Sequence, residues 1–211
     1  MNKAEHEAMH ELGIKHHHHL DKTEIIDFFN EMAPHWDAEM IRNEAAIRSI
    51  LDLGGIRPGI RVLDVACGTG VLFPDYMVRG VSSITGIDIS SEMVRIAQEK
   101  FPVVDVICGD AGTYGFGCDF DAIMIYNAFP HFDDPHGLLH NLCDHLKPGG
   151  RLTVAHGMSR AALDKHHSGG ALKVSVGLMS ENDLAAMMEG HLHVDVKISD
   201  DEKYIVSGVK E

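Results

Sequence analysis

The chain has 211 residues, with 18 Lys and Arg against 32 Asp and Glu, so its formal net charge is −14. This charge disfavours a protein held to nucleic acid by phosphate contacts, since no basic patch offsets it. Apolar residues make up 45% of the chain, which excludes a wholly disordered protein and suffices for one domain with its own core. No apolar run approaches the roughly 18 residues of a membrane span. The four cysteines show no CxxC spacing, so we expect reduced thiols in a cytoplasmic protein.

The first 20 residues are rich in histidine and weakly patterned, and the rest is interpreted as one domain, 21–211. Its first part, 21–55, predicts two helices that cap the domain. A capping box at Asp21 begins the first helix, and Pro34 is expected to end it. The second helix is expected over about 38–53.

Short apolar runs then alternate with helical stretches, which is typical of a doubly wound α/β fold with parallel strands. A final helix at about 181–189 precedes two runs that predict an antiparallel hairpin at the edge of the sheet. The predicted strands are 61–66, 84–89, 103–107, 121–126, 151–156, 193–198 and 203–209, and the intervening helices are at about 71–80, 91–100 and 135–146.

The loops after the first three strands carry residues that suit a nucleoside ligand. Ligands of open α/β sheets bind outside the carboxyl ends of the strands, and the first such loop holds Gly68 and Gly70, where the backbone can approach a ligand closely. The dinucleotide fingerprint G-x-G-x-x-G needs a third small residue, but Phe73 stands there, which disfavours NAD. Asp88, after the second strand, can accept both hydroxyls of a ribose. Asp110, after the third, can accept a hydrogen bond from an adenine amino group.

Five segments together resemble the class I S-adenosylmethionine-dependent methyltransferases. The resemblance spans about 58–156 and implies S-adenosylmethionine as cofactor. It also implies a mostly parallel, seven-stranded, Rossmann-like sheet with an antiparallel C-terminal hairpin. The five segments are VLDVACGTG at 62–70, GIDIS at 86–90, GDA at 109–111, FDAIMIYNAFPHF at 120–132 and LKPGGRL at 146–152.

The same resemblance implies which residues bind the cofactor. These are Asp64, Gly68 and Gly70 on its methionine side, Cys67 in the same loop, Asp88 at the ribose, Ile89 and Met93 flanking the adenine, Asp110 and Ala111 at the adenine edge, and Asn127 near the sulfonium. Many members carry glycine where this chain has Ala66. Alanine is small enough that we expect binding to be kept.

The segment FFNEMAPHWD, residues 28–37, resembles the N-terminal helix of small-molecule members related to quinone methyltransferases. In those members an aromatic residue lies over the cofactor, and Trp36 would be that residue. The alternative is a core aromatic that pins the first helices to the sheet.

The segment after the fourth strand points to the kind of acceptor. Enzymes that methylate exocyclic base amines or glutamine amides carry [D/N]-P-P-[Y/F] there, whereas this chain has NAFP at 127–130. Together with the net charge of −14, this favours a small-molecule acceptor over DNA.

Two histidines are the candidate catalytic residues, His131 and His156, which are expected at the carboxyl ends of strands four and five. Imidazole, with an ordinary pKa of about 6.5, can act as a general base, so His131 is the first candidate; the alternative is a histidine that only shapes the pocket. A bolder hypothesis has both converge with His166 and His167, in a substrate lid over 157–180, on a divalent metal.

The sequence therefore predicts a methyltransferase that moves a methyl group from S-adenosylmethionine to a small molecule. A non-catalytic sensor that binds S-adenosylmethionine or a metal on the same fold is the alternative, and product formation separates the two. An NAD-dependent oxidoreductase ranks third because of Phe73.

Overall fold

The structure is a computed structural model that describes residues 20–160, 162–163, 174–175 and 177–211. Helices and strands alternate through most of it, as the sequence pattern predicts. In chain order the elements are α1 (Lys22–Glu39), α2 (Glu44–Leu53), β1 (Arg61–Val65), α3 (Phe73–Val78), β2 (Ser83–Asp88), α4 (Ser91–Lys100), β3 (Asp105–Cys108), β4 (Phe120–Tyr126), a 3-10 turn (Phe129–His131), α5 (Pro135–Asp144), β5 (Leu146–His156), α6 (Glu181–Met188), β6 (His193–Ser199) and β7 (Tyr204–Val209).

The strands form a seven-stranded sheet in the order β3-β2-β1-β4-β5-β7-β6. The first five strands pair in parallel, while β7 lies antiparallel between β5 and β6. The predicted doubly wound, Rossmann-like sheet with an antiparallel C-terminal hairpin is confirmed. The direction of winding changes between β1 and β4, because the chain builds outward through β2 and β3 on one side of β1 and through β4 and β5 on the other.

Both faces of the sheet carry an apolar core, as expected of strands buried on two sides. One core includes Leu142 of α5 and Leu184 of α6, packed with strand residues such as Val154. The other includes Ile50 of α2 and Tyr76 of α3. The two cores hold the strands rigid, and this fixes the positions of the loops at their carboxyl ends.

The prediction that Pro34 ends the first helix is wrong, because α1 continues through it to Glu39. A proline inside a helix removes one N–H donor and crowds the preceding turn, which costs about 3 kcal/mol. Tertiary contacts on both sides of Pro34 oppose that cost. Ala33 is 2% exposed, and Asp37 binds Thr69 Oγ1 at 2.5 Å and Lys100 Nζ at 2.6 Å. The second helix consequently starts at Glu44 rather than near residue 38.

The fifth strand begins earlier than predicted, at Leu146 instead of residue 151. Leu146 pairs with Phe120 across a register shift, so the LKPGGRL turn is incorporated into the strand. Within the described ranges, no helix is both long and apolar enough to cross a membrane.

Candidate active site

A cavity opens at the carboxyl ends of β1, β2 and β4, where the winding direction changes and ligands of open α/β sheets bind. The space in it that water-sized molecules could occupy is about 130 Å³, and its lining is largely apolar with a few polar groups, as in small-molecule clefts. Of the site residues predicted from the sequence, the cavity is lined by Trp36, Cys67, Gly68, Asp88, Ile89, Met93, Asp110, Ala111, Asn127 and His131.

The loop after β1 takes a backbone path that few side chains tolerate. Ala66, Gly68 and Gly70 all have positive φ, at 53°, 54° and 85°. A Cβ on Gly70 would lie 2.6 Å from the Phe73 ring, so this position requires glycine for space as well as conformation. Phe73 therefore packs where a dinucleotide fingerprint has its third small residue, under the loop rather than in the cavity.

Asp88, at the end of β2, is held in place by backbone donors. Its Oδ2 accepts from Gly68 N at 2.8 Å and its Oδ1 from Ser90 N at 2.9 Å. Burial raises the pKa of Asp88, and the hydrogen bonds from Ser90 and Gly68 oppose that rise. Each carboxylate oxygen has a second lone pair, so Asp88 can still accept hydrogen bonds from a ligand in the cavity.

Asp64, one strand over, is 2% exposed and does not line the cavity. The buried hydroxyl of Tyr76 lies beside this carboxyl. Burial, reinforced by the charge of Asp88, raises the pKa of Asp64 well above that of an ordinary carboxyl. Burial and the same two carboxylates also raise the pKa of the Cys67 thiol, so this cysteine is a neutral wall residue and not a nucleophile.

One wall of the cavity is apolar with a carboxylate at its edge. Met93, on the first turn of α4, is 1% exposed, and Ala111 is 4% exposed. Asp110 accepts from Gly112 N at 2.9 Å through Oδ1 and from Lys22 Nζ at 2.5 Å through Oδ2. This ion pair joins the start of α1 to the loop after β3.

Helix α1 closes the cavity from above with aromatic side chains. The Phe29 ring packs edge-on against Trp36, with centroids 5.8 Å apart. The Trp36 indole nitrogen lies near Gly68, 3.7 Å from where a Cβ would stand. Asn30 Oδ1 accepts from Ser90 Oγ at 2.7 Å and from Glu92 N at 3.2 Å, which ties α1 to the start of α4.

The floor of the cavity follows β4. Asn127 has a φ of 56°, a conformation that asparagine tolerates better than most residues. Its Oδ1 accepts from Gly157 N at 2.9 Å, which joins the ends of β4 and β5. Tyr126, which also lines the cavity, is 8% exposed.

The two candidate catalytic histidines lie in different surroundings. His131 lines the cavity, and its ring packs edge-on against Phe29 with centroids 5.1 Å apart. His156 is 1% exposed, lies against Tyr204 with ring centroids 6.0 Å apart, and does not line the cavity. Its catalytic role stays a prediction.

The hypothesis that histidines bind a divalent metal stays a prediction, because two of its four histidines lie outside the described residues. Across the described residues, no three His, Cys, Asp or Glu side chains are grouped so that they could hold a metal ion. His166 and His167 lie outside those residues, as does most of the predicted lid over 157–180. The histidine-rich tail, apart from Leu20, lies outside them too.

Sequence reasoning missed the cavity residues that come from the ends of α1 and from the turn after β4. These are Lys22, Ile25, Phe29, Met40, Tyr126, Phe132 and Asp133. The helical spacing of Ile25 and Phe29 could have suggested one buried face, but it does not say which part of the sheet that face covers.

Comparison with known proteins agrees with the fold. Residues 62–150 match the model of a methyltransferase domain family. Over these residues the chain is similar to methyltransferase domains. The demethylmenaquinone methyltransferase of Renibacterium salmoninarum is 33% identical over 144 residues, which cover 64% of this chain. The same enzyme of Paenarthrobacter aurescens is 30% identical over 138 residues, or 63% of the chain. The chain spans 60% and 54% of the lengths of these relatives, so the similarity concerns only part of each.

Magnesium protoporphyrin IX methyltransferase from Synechocystis, solved with bound S-adenosylhomocysteine, superposes with a TM-score of 0.67. The match covers 90% of this chain and 99% of that protein at 18% identity. At this identity the likeness concerns the fold alone.

Proposed function

We propose that this chain binds S-adenosylmethionine in the cavity at the β1–β4 edge and transfers its methyl group to a small apolar acceptor. The observation that carries the proposal is the Asp88 carboxylate. Two backbone donors hold it beside a loop of three positive-φ residues, at the edge of the sheet where nucleosides bind.

The residues around Asp88 fit the chemistry of this cofactor. The carboxylate keeps lone pairs for the two ribose hydroxyls. Ile89, Met93 and Ala111 offer apolar contact to a flat adenine, and Asp110 at the edge can accept from its amino group. The buried carboxyl of Asp64, at the end of β1, is the group that we propose for the methionine side of the cofactor.

The remaining lining of the cavity supports an apolar acceptor, and we place it between α1 and the turn after β4. Ile25, Phe29 and Met40 come from α1 and its end, while Tyr126 and Phe132 come from the opposite side. Such a lining suits a flat or aromatic molecule better than a charged one. The similarity to demethylmenaquinone methyltransferases makes a quinol-like ring the first class to test.

When bound, the cofactor supplies a methyl group on a sulfonium, a good leaving group. The protein then has to align the acceptor, exclude water and accept a proton. In our proposal α1 excludes water by covering the cavity with Phe29 and Trp36. His131 is the proposed general base because it is the histidine that lines the cavity. His156 is kept as a second candidate.

Calorimetry of S-adenosylmethionine binding tests the cofactor site. Asp88→Ala should lower the affinity roughly 10- to 100-fold, because a charge-assisted hydrogen bond contributes about 1.5–3 kcal/mol. Asp105→Ala is the matched control, since this carboxylate is exposed at the opposite end of the sheet and should leave the affinity unchanged. Equal affinities in the wild type and Asp88→Ala would contradict the assignment.

A methyl-transfer assay across quinols, phenols, thiols and amines tests the activity. Formation of a methylated product with any of them supports an enzyme. Tight cofactor binding without product across the whole panel favours the non-catalytic alternative.

A further inference from the structure

The second contact of His131 determines which of its ring nitrogens carries a proton. His131 Nδ1 lies 2.7 Å from the main-chain carbonyl oxygen of Val174. A carbonyl oxygen can only accept a hydrogen bond, so Nδ1 must donate. In a neutral imidazole the lone pair then lies on Nε2, because the hydrogen bond of one nitrogen fixes the state of the other.

The carbonyl is itself held in place by apolar packing. The Val174 side chain is 2% exposed and forms a small buried cluster with Leu20 and Ile25. Leu20 N donates to Asp133 Oδ1 at 3.0 Å, two residues beyond His131. The start of α1 and the turn that carries His131 are therefore joined around Val174.

The other side of the imidazole ring is also constrained. Phe29 meets it edge-on, with ring planes 83° apart. A ring packed by Phe29 and hydrogen-bonded through Nδ1 has one orientation relative to the cavity that it lines.

We propose that the Val174 carbonyl is the positioning group of His131, which keeps the proton on Nδ1 and leaves Nε2 as the base. The use of Nε2 in catalysis rests on the proposed function, whereas the tautomer does not. As the acceptor atom bonds to the methyl carbon, the carbon–sulfur bond breaks with its electron pair left on sulfur, and the proton of the acceptor passes to Nε2. The resulting imidazolium keeps its Nδ1–H bond to Val174, which is stronger when the donor is charged.

Nitrogen-15 NMR of the full chain with labelled histidine measures the tautomer directly. The His131 signals are identified by their loss in His131→Asn. At a pH where the ring is neutral, we expect Nδ1 to give the shift of a protonated nitrogen and Nε2 that of an unprotonated one. A protonated Nε2 with an unprotonated Nδ1 in the wild type would overturn the proposal.

Leu20→Ala tests how the carbonyl is held. Removing this packing should shift His131 toward the Nε2-protonated form and lower kcat several-fold, with little change in cofactor affinity. Val103→Ala, at a side chain 86% exposed, is the matched control and should change neither the tautomer nor kcat. An unchanged tautomer in Leu20→Ala would contradict the role given to this packing.

Two substitutions of His131 separate positioning from proton transfer. The amide nitrogen of His131→Asn can still donate to Val174, whereas His131→Ala cannot, so the Asn variant should retain more thermal stability. Both should lose roughly a hundredfold or more in kcat while keeping cofactor affinity. A failure to bind S-adenosylmethionine would sink the proposed function and leave the NMR result standing. Normal binding and turnover with the wrong tautomer would sink only the present proposal.

Discussion

Ala66 occupies a backbone conformation that normally belongs to glycine. Its φ of 53° puts the Cβ close to the following carbonyl oxygen, which costs an L-residue about 1–2 kcal/mol. Glycine removes that cost but loses more conformational freedom on folding. We expect Ala66→Gly to raise the free energy of unfolding by about 0.5–1 kcal/mol, measured by urea denaturation.

Ala128 offers a matched control on the same cavity. Its φ is −130°, where alanine is unstrained. Ala128→Gly should therefore lower the free energy of unfolding by about 0.5–1 kcal/mol. If Ala66→Gly also lowers the free energy of unfolding, the left-handed backbone of Ala66 does not destabilise the protein.

Asp64 makes the stability of the ligand-free protein depend on pH. Burial raises the pKa of Asp64 in the folded state above the value of about 4 of an unfolded chain. The cost of the buried charge therefore grows as the pH rises from about 4 through the raised pKa. Asp64→Asn removes this cost, so its gain in melting temperature over the wild type should be larger at pH 8 than at pH 5.

The pKa of Asp121 is shifted in the opposite direction from that of Asp64, so Asp121 serves as the comparison. Burial raises the pKa of Asp121 less than the hydrogen bonds from Arg61 N and Lys147 lower it, so the net pKa is lowered. Its stabilisation is complete above about pH 4 and is lost only as the pH falls through the lowered pKa. Asp121→Asn should thus destabilise by a similar amount at pH 5 and pH 8. An Asp64→Asn gain that does not vary with pH would show that the buried carboxyl is not the source.

Beside the Asp37–Lys100 ion pair, the Asn30 side chain joins α1 to the start of α4. Asn30 Oδ1 accepts from both Ser90 Oγ and Glu92 N, at the start of the helix that carries Met93. Asn30→Ala removes this acceptor and should lower the affinity for S-adenosylmethionine about five- to tenfold, since a hydrogen bond contributes about 1 kcal/mol. Calorimetry against Asp27→Ala, at an exposed position of the same helix, checks the effect. Equal losses in both variants would mean that α1 is being disturbed generally.

Strands were easier to predict than the helices that cover them. Residues such as Ile123 and Val154 lie in continuous apolar runs, and such runs identify buried parallel strands without knowledge of any partner. The course of α1 past Pro34 depends instead on contacts such as Asp37–Lys100, between residues 63 apart in the chain. Local pattern carries no information on such contacts.

The same distinction between local patterns and long-range contacts explains which residues of the site could be predicted. Gly68 and Asp88 each lie in a motif contained within a single strand-to-helix unit, after β1 and at the end of β2, and both line the cavity. The Val174 carbonyl could not be predicted, because a main-chain acceptor 43 residues from His131 leaves no mark on either side chain.

The molecule as a whole should be stabilised by its proposed cofactor. A ligand that binds only the folded state adds about 2.7 kcal/mol at one hundred times its Kd. For a domain of this size that corresponds to a rise of roughly 5–10 °C in Tm. Differential scanning fluorimetry should show this rise with S-adenosylmethionine or S-adenosylhomocysteine and none with NAD. A comparable rise with NAD would reopen the dinucleotide interpretation.

The insertion of β7 between β5 and β6 has a consequence for the folding of the chain. Tyr204–Val209 is the last strand in the sequence, yet it pairs on both sides within the sheet. Until β7 has paired with it, β5 has an open edge of unpaired backbone N–H and C=O groups. The side chains of β5, most of which are buried in the finished fold, are then exposed as well. Such an edge can pair with other chains, so the folding protein is most prone to aggregation in the interval before β7 pairs with β5. Chaperone dependence should accordingly concentrate in that interval.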